Sequence, residues 1–106
     1  MVIKQFNIYL IDLNPTQEHE INKARPCVVI SPNEMNAHLQ TLIIAPMTSK
    51  AKVYPTRVNI QFDGKQGQII LDQIRTVDKT RLIKKMGSLD KQTAHVVLQL
   101  LQEMFQ

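Results

Sequence analysis

Tryptophan is absent from this chain, and aromatic side chains are limited to three phenylalanines and two tyrosines. A surface that grips nucleic acid by stacking on many rings is therefore excluded, and any stacking falls to Tyr54 and Phe6. A single cysteine rules out an internal disulfide and a zinc site built on paired cysteines. That residue, Cys27, sits in Pro26-Cys27-Val28-Val29-Ile30, an apolar run that marks a buried strand position rather than a reactive thiol. The three glycines form no phosphate-binding loop, and none of the three histidines belongs to a His-Glu-x-x-His pattern. Neither metal nor cofactor is expected. No apolar run approaches the roughly twenty residues that span a bilayer, and Met1-Val2-Ile3-Lys4-Gln5 lacks a signal-peptide layout. A cytoplasmic protein with no membrane contact is the resulting expectation.

What is present is ordinary globular composition, 43% hydrophobic and 21% charged, in 106 residues that fit one domain. The net charge of +4 and a pI near 9.4 favour polyanionic partners, nucleic acid being the commonest. Charge alone does not distinguish such a partner from a merely soluble basic surface.

Residues 7–13 are rich in β-formers and stop at Asn14-Pro15, which gives a first strand. Residues 16–24, with Gln17, Glu18, His19, Glu20, Asn22 and Lys23, are polar and unperiodic and read as a loop. Residues 26–31 form an apolar run suited to a strand covered on both faces. Ser31-Pro32-Asn33-Glu34 then turns into a short helical segment, with His38 in a turn region, before a strand over residues 41–47. Val58, Ile60 and Phe62 alternate with Arg57, Asn59 and Gln61, the pattern of a half-exposed strand. Asp63-Gly64 signals a hairpin, with the return strand expected over residues 68–74. Ser88 or Asp90 caps a final helix whose apolar positions are Ala94, Val97, Leu98, Leu101, Met104 and Phe105, with His95 beside the stripe. The sum is a mainly β fold, a strongly curved barrel-like sheet of at least five strands with an amphipathic C-terminal helix.

Three clusters carry polar chemistry. His19 and Glu20 share a loop with Lys23 and Arg25, gathering acid, base and cation, although such charges also satisfy one another in a solvated loop. Thr48, Ser49 and Lys50 follow Pro46-Met47 where a buried strand emerges, an arrangement suited to phosphate oxygens or to an ordinary turn. Arg75, Lys79, Arg81, Lys84 and Lys85 form a basic stretch able to track a nucleic-acid backbone, or else a solvated face.

Read together, several blocks resemble the MazF/PemK toxins. They are residues 8–16 (Ile-Tyr-Leu-Ile-Asp-Leu-Asn-Pro-Thr), His19-Glu20, Arg25-Pro26, Val28-Val29-Ile30-Ser31-Pro32, Pro46-Met47-Thr48-Ser49, Tyr54-Pro55-Thr56-Arg57-Val58 and residues 71–78 (Leu-Asp-Gln-Ile-Arg-Thr-Val-Asp). The likeness extends through the terminal helix. It implies an SH3-like β-barrel, a homodimer, and metal-independent, sequence-selective cleavage of single-stranded RNA. It also implies a cognate antitoxin laid over the RNA groove. By match, Arg25 and Thr48 correspond to the family's catalytic pair, Glu20 to its loop glutamate and His19 to the histidine of PemK-like members. Lys23, Ser49, Lys50, Tyr54, Arg57, Asp72, Gln73 and Arg75 are the expected RNA-contacting set. The chain departs from the pattern at Phe6-Asn7 (usually Gly-Asp or Gly-Glu), at Glu18 (usually glycine) and at Ile70, where some members carry arginine.

Metal-free cleavage uses the 2′-hydroxyl as nucleophile, so DNA analogues bind without being cut. Arginine is always protonated, which assigns Arg25 to stabilising the phosphorane and Thr48 to orienting the phosphate. His19 and Glu20 are the candidate acid and base, in either order. Two other function classes stay open: a non-enzymatic gyrase inhibitor resembling the CcdB-like toxins, and an RNA-binding module without catalysis. The first relies on a tryptophan near the terminus, whereas this chain ends Glu103-Met104-Phe105-Gln106.

Overall fold

A computed structural model describes residues 2–21 and 23–106; Met1, and Asn22 of the polar loop, lie outside the described residues. The elements run β1 (Asn7–Asp12), β2 (Ala24–Val29), α1 (Asn33–His38), β3 (Thr41–Thr48), β4 (Arg57–Phe62), β5 (Lys65–Ile70), β6 (Arg75–Asp78), β7 (Leu82–Ser88) and α2 (Lys91–Met104). Single 3-10 turns, Leu71–Gln73 and Lys79–Arg81, bracket β6. The strands form one curled sheet in the order β4-β5-β3-β2-β1-β7, with β6 added beside β3.

The long β3 organises this sheet. It pairs β2 on one edge and divides the other between β6, along residues 41–44, and β5, at Met47 and Thr48. A strand shared in this way bends the sheet into a half-barrel, in keeping with the curved barrel read from the sequence. Period-two alternation along the central strands feeds two apolar clusters. Tyr9, Ile11, Cys27, Val29, Leu42 and Ile44 point into one, while Ile8, Val28, Ala45 and Met47 join Val97 in the other. Burial on both faces explains why β2 and β3 read as unbroken apolar runs rather than as alternating ones.

Helix α2 covers the second cluster through Val97, backed by Leu100, Leu101 and Met104, whereas Leu98 and Phe105 of the expected stripe are exposed. Of the two candidate caps, Asp90 accepts from the Thr93 N–H at 2.7 Å, and the Ser88 hydroxyl instead accepts from Asn7 Nδ2 at 2.9 Å. The bond from Thr93 holds the Asp90 carboxyl below its usual range. A depressed folded-state value means that the cap stabilises above the ordinary carboxylate range and is lost as pH falls through the depressed value. Asp90→Ala is therefore expected to lower the melting temperature at neutral pH and to flatten the acid limb of the stability curve, read by circular dichroism.

Several expected boundaries differ. The Asp63-Gly64 turn has positive φ at both residues (55° and 75°), a type I′ geometry that pairs Phe62 directly with Lys65. The return strand thus begins at Lys65, three residues before the position read from apolar content, and ends at Ile70, where Leu71–Gln73 winds into a 3-10 turn. His38 closes α1, its Nδ1 lying 2.9 Å from the Glu34 carbonyl, rather than occupying a turn. The basic stretch contains two strands, β6 and β7. Two register shifts between β1 and β7 interrupt alternation there and leave Ile83, Lys84 and Lys85 facing outward.

Cys27 is fully buried in β2, and burial pushes its thiol up to about 12, with Arg75 and Arg25 pulling weakly the other way. The thiolate is the reactive form. Native protein should therefore react with a disulfide reagent such as DTNB at least about a hundredfold more slowly than urea-unfolded protein at the same pH.

Candidate active site

The antiparallel register of β2 and β3 pairs Cys27 with Pro46. Extended by two residues, it sets Arg25 across from Thr48, so two side chains distant in sequence meet at the mouth of the same strand pair. They line a cavity of about 360 Å³ together with Lys23, Ser49, Asp63 and Lys65, floored by Ile60, Phe62 and Met86. Three cationic side chains against one carboxylate make this cavity electropositive. Arg25 is partly buried, which strengthens its field relative to a solvated guanidinium. Thr48 is 8% exposed, and its hydroxyl oxygen accepts from the Lys50 N–H at 3.1 Å. That bond uses one lone pair of the hydroxyl and leaves its proton to be donated elsewhere.

His19 and Glu20 lie elsewhere. They line a second cavity, of about 290 Å³, with Pro46, Asp72, Gln73 and Arg75, and among the described residues the two cavities have no lining residue in common. The loop bearing them is tied to the sheet at several points. Gln73 Oε1 accepts from the Ile21 N–H at 2.8 Å, Arg75 donates to the Leu13 carbonyl at 3.1 Å, and Arg81 donates to the carbonyls of Asp12 and Asn14. The Glu20 carboxylate accepts from the Gln17 N–H, closing a turn within the loop. The loop runs from this second cavity to Lys23, at the rim of the first, and adjacent residues of β3, Pro46 and Met47, line one cavity each.

The remaining expected contacts form a third group. Arg57 pairs with Asp72 at 3.4 Å and its guanidinium stands 5.0 Å from the centre of the Tyr54 ring. Thr56 donates to the same carboxylate at 2.9 Å. Asp72 thereby holds Arg57 against Tyr54, while Ser49 and Lys50 remain exposed at the end of β3. Asp63, Lys65 and Gln66 line the Arg25 cavity without having been singled out in the sequence. The hairpin turn that carries them was legible, but not the cavity its tip overhangs. Among the described residues no group of three or more His, Cys, Asp and Glu side chains is placed to hold a metal ion. No helix among them is long and apolar enough to cross a membrane.

Comparison with known proteins adds to this geometry. The chain is 38% identical over 97 residues to the Endoribonuclease MazF of Staphylococcus epidermidis, a match covering 85% of this chain and 80% of that one. Its fold superposes on crystalline MazF from Deinococcus radiodurans with a TM-score of 0.87 at 24% identity, covering 99% and 97% of the two chains. A mycobacterial endoribonuclease solved in complex with its cognate antitoxin gives a TM-score of 0.82 at 21% identity, with coverage of 97% and 94%. The model of the PemK-like, MazF-like toxins of type II toxin–antitoxin systems matches residues 4–105, and the chain belongs to that family.

Proposed function

We propose that this protein is the toxin of a type II toxin–antitoxin pair and acts as a sequence-selective endoribonuclease on single-stranded RNA in the cytoplasm. The observation that carries this reading is the shared cavity of Arg25 and Thr48 under a net positive field. Family membership and the relative named as an endoribonuclease support it.

In the proposed reaction the 2′-oxygen of one nucleotide attacks the adjacent phosphorus, its proton passing to a base, and the bond from phosphorus to the 5′-oxygen breaks as that oxygen is protonated. The five-coordinate phosphorane carries more negative charge than the starting diester. Arg25, with a planar fork of donors, offsets that added charge, and Thr48 donates its hydroxyl proton to a phosphate oxygen and fixes its orientation. Lys23, Ser49, Lys50 and Arg57 attract the flanking backbone, and Tyr54, held by Arg57, offers a ring for stacking. His19 and Glu20 are assigned to proton transfer, which requires their loop to carry them from the second cavity to within hydrogen-bond reach of the 2′- and 5′-oxygens of the phosphate held by Arg25 and Thr48. Asp72, Gln73 and Arg75 serve chiefly through the contacts described above, setting Arg57 and the loop that RNA must pass.

The active form is read as a homodimer, and an acidic antitoxin segment as the partner that covers the groove. The decisive experiment is digestion of a long unstructured RNA in excess chelator, with the ends mapped. Discrete cuts at a recurring short sequence are expected, and an all-DNA copy should stay intact. RNA left whole while the protein inhibits gyrase supercoiling would overturn the assignment.

A further inference from the structure

The outer face of the β4–β5 hairpin has an unusual chemistry for so basic a chain. The register pairs Asn59 with Gln68 and Gln61 with Gln66, and period-two alternation places all four carboxamides on one face. With Ser49 and Ala51 they line a groove of about 480 Å³ that contains no charged side chain. The groove is continuous with the Arg25 cavity, since Ser49, Ile60, Gln66 and Gly67 line both.

One of the four is committed to building it. Gln68 is 5% exposed; its Oε1 accepts from the Lys52 N–H at 3.0 Å, and its Nε2 donates to the Lys52 carbonyl and to Asn59 Oδ1, both at 2.9 Å. This buried clamp pins the chain after β3 alongside the hairpin, so the groove wall is in place before anything binds. Gln61, Gln66 and the outer part of Asn59 are exposed. Gln61 and Gln66 each offer a donor and an acceptor side by side, the complement of a base edge, Asn59 adds the amide donors left by its bond from Gln68, and a neutral wall makes no competing claim on phosphate.

We propose that this arm of the groove is a nucleobase subsite in which Gln61, Gln66 and Asn59 read the edge of one unpaired base beside the phosphate held by Arg25 and Thr48. The inference rests on the RNA-cleaving reading above and adds to it the part of the chain that sets sequence choice. Unpaired RNA presents its Watson–Crick edge to such side chains, which a duplex does not.

The test uses oligoribonucleotides that differ by one base at each position around the bond cut by the wild-type protein. Gln66→Ala and Gln61→Ala are expected to lower discrimination at one position by roughly tenfold or more, leaving the choice at other positions intact. A uniform fall in kcat/KM across all the oligonucleotides would indicate a backbone contact and overturn the subsite, as would unchanged discrimination in both variants. Anisotropy with the uncut oligonucleotides and the Arg25→Ala protein keeps the two readings separate. If no strand is cut, base-selective binding that Gln66→Ala abolishes still supports the subsite, and binding without selectivity refutes it. Selectivity that survives in both variants while an acidic antitoxin peptide no longer binds would assign this face to the antitoxin instead.

Discussion

Replacement of Arg25 by alanine is expected to lower RNA cleavage by on the order of a hundredfold or more, the loss seen when a preorganised transition-state donor is removed. The residue is the second of β2, at the mouth of its cavity, and is only partly buried, so the substitution leaves no large void and the fold should persist. Circular dichroism and the unfolding midpoint would establish that. Arg25→Lys should recover only part of the rate, because a point-charge ammonium cannot present two parallel donors to phosphate oxygens. The defect should appear in kcat rather than in KM, since the interaction strengthens as charge develops. A folded Arg25→Ala protein that cut RNA at the parental rate would remove this cavity from consideration as the reaction centre.

The second large effect is expected at Gly67, which lines the Arg25 cavity but has no side chain to offer a substrate. A Cβ built there would stand 2.8 Å from the Thr48 carbonyl oxygen, too close to be accommodated without movement of β5 or β3. Because the obstructing atom is backbone, no side-chain rotation relieves the contact. Gly67→Ala should cost about 1–3 kcal/mol in stability, as overpacking does. It should also cut activity by roughly tenfold or more by displacing Thr48, on the scale expected when a misplacement of about 1 Å disturbs a reacting group. The pairing of Thr48 with Gln68 gives a direct check. Amide exchange at these residues should rise in the variant, and an alanine protein with native exchange and native rate would contradict the argument.

These two positions also show what was readable in the chain. Arg25 and Thr48 were recognisable from short blocks, and the strands carrying them from apolar runs, since both properties are local. Their meeting depends on a register between β2 and β3 that no local pattern contains. The same holds for Asp63, Lys65 and Gln66, which enter the site only because β5 pairs with the end of β3. His19 and Glu20 are near Arg25 in sequence but not in the folded chain, because Gln73, Arg75 and Arg81 draw their loop toward the opposite side of Pro46. Strand β7 escaped notice for a different reason: bulges break the alternation by which a strand is recognised. The departure at Phe6 acquires a physical meaning as well. Its φ of 72° lies in the left-handed region, where the glycine usual in the family carries no steric cost. Phe6 compensates by packing against the second apolar cluster.

The sheet has two ends, β4 and β7, and they meet without a described ladder between them. At this seam a Cβ on Gly87 would lie 3.9 Å from the Phe62 ring, and Phe62 and Met86 together floor the Arg25 cavity. A seam closed by side chains parts without breaking strand-to-strand hydrogen bonds, so it is where the least free energy is needed for local opening. Hydrogen–deuterium exchange should therefore be fastest along the outer edges of β4 and β7 and slowest in β2 and β3. The cavity floor should then open more readily than the strand mouth carrying Arg25 and Thr48. On the proposed reading of the site, adjustment to a bound strand is then confined to the apolar floor and leaves the geometry of Arg25 and Thr48 unchanged.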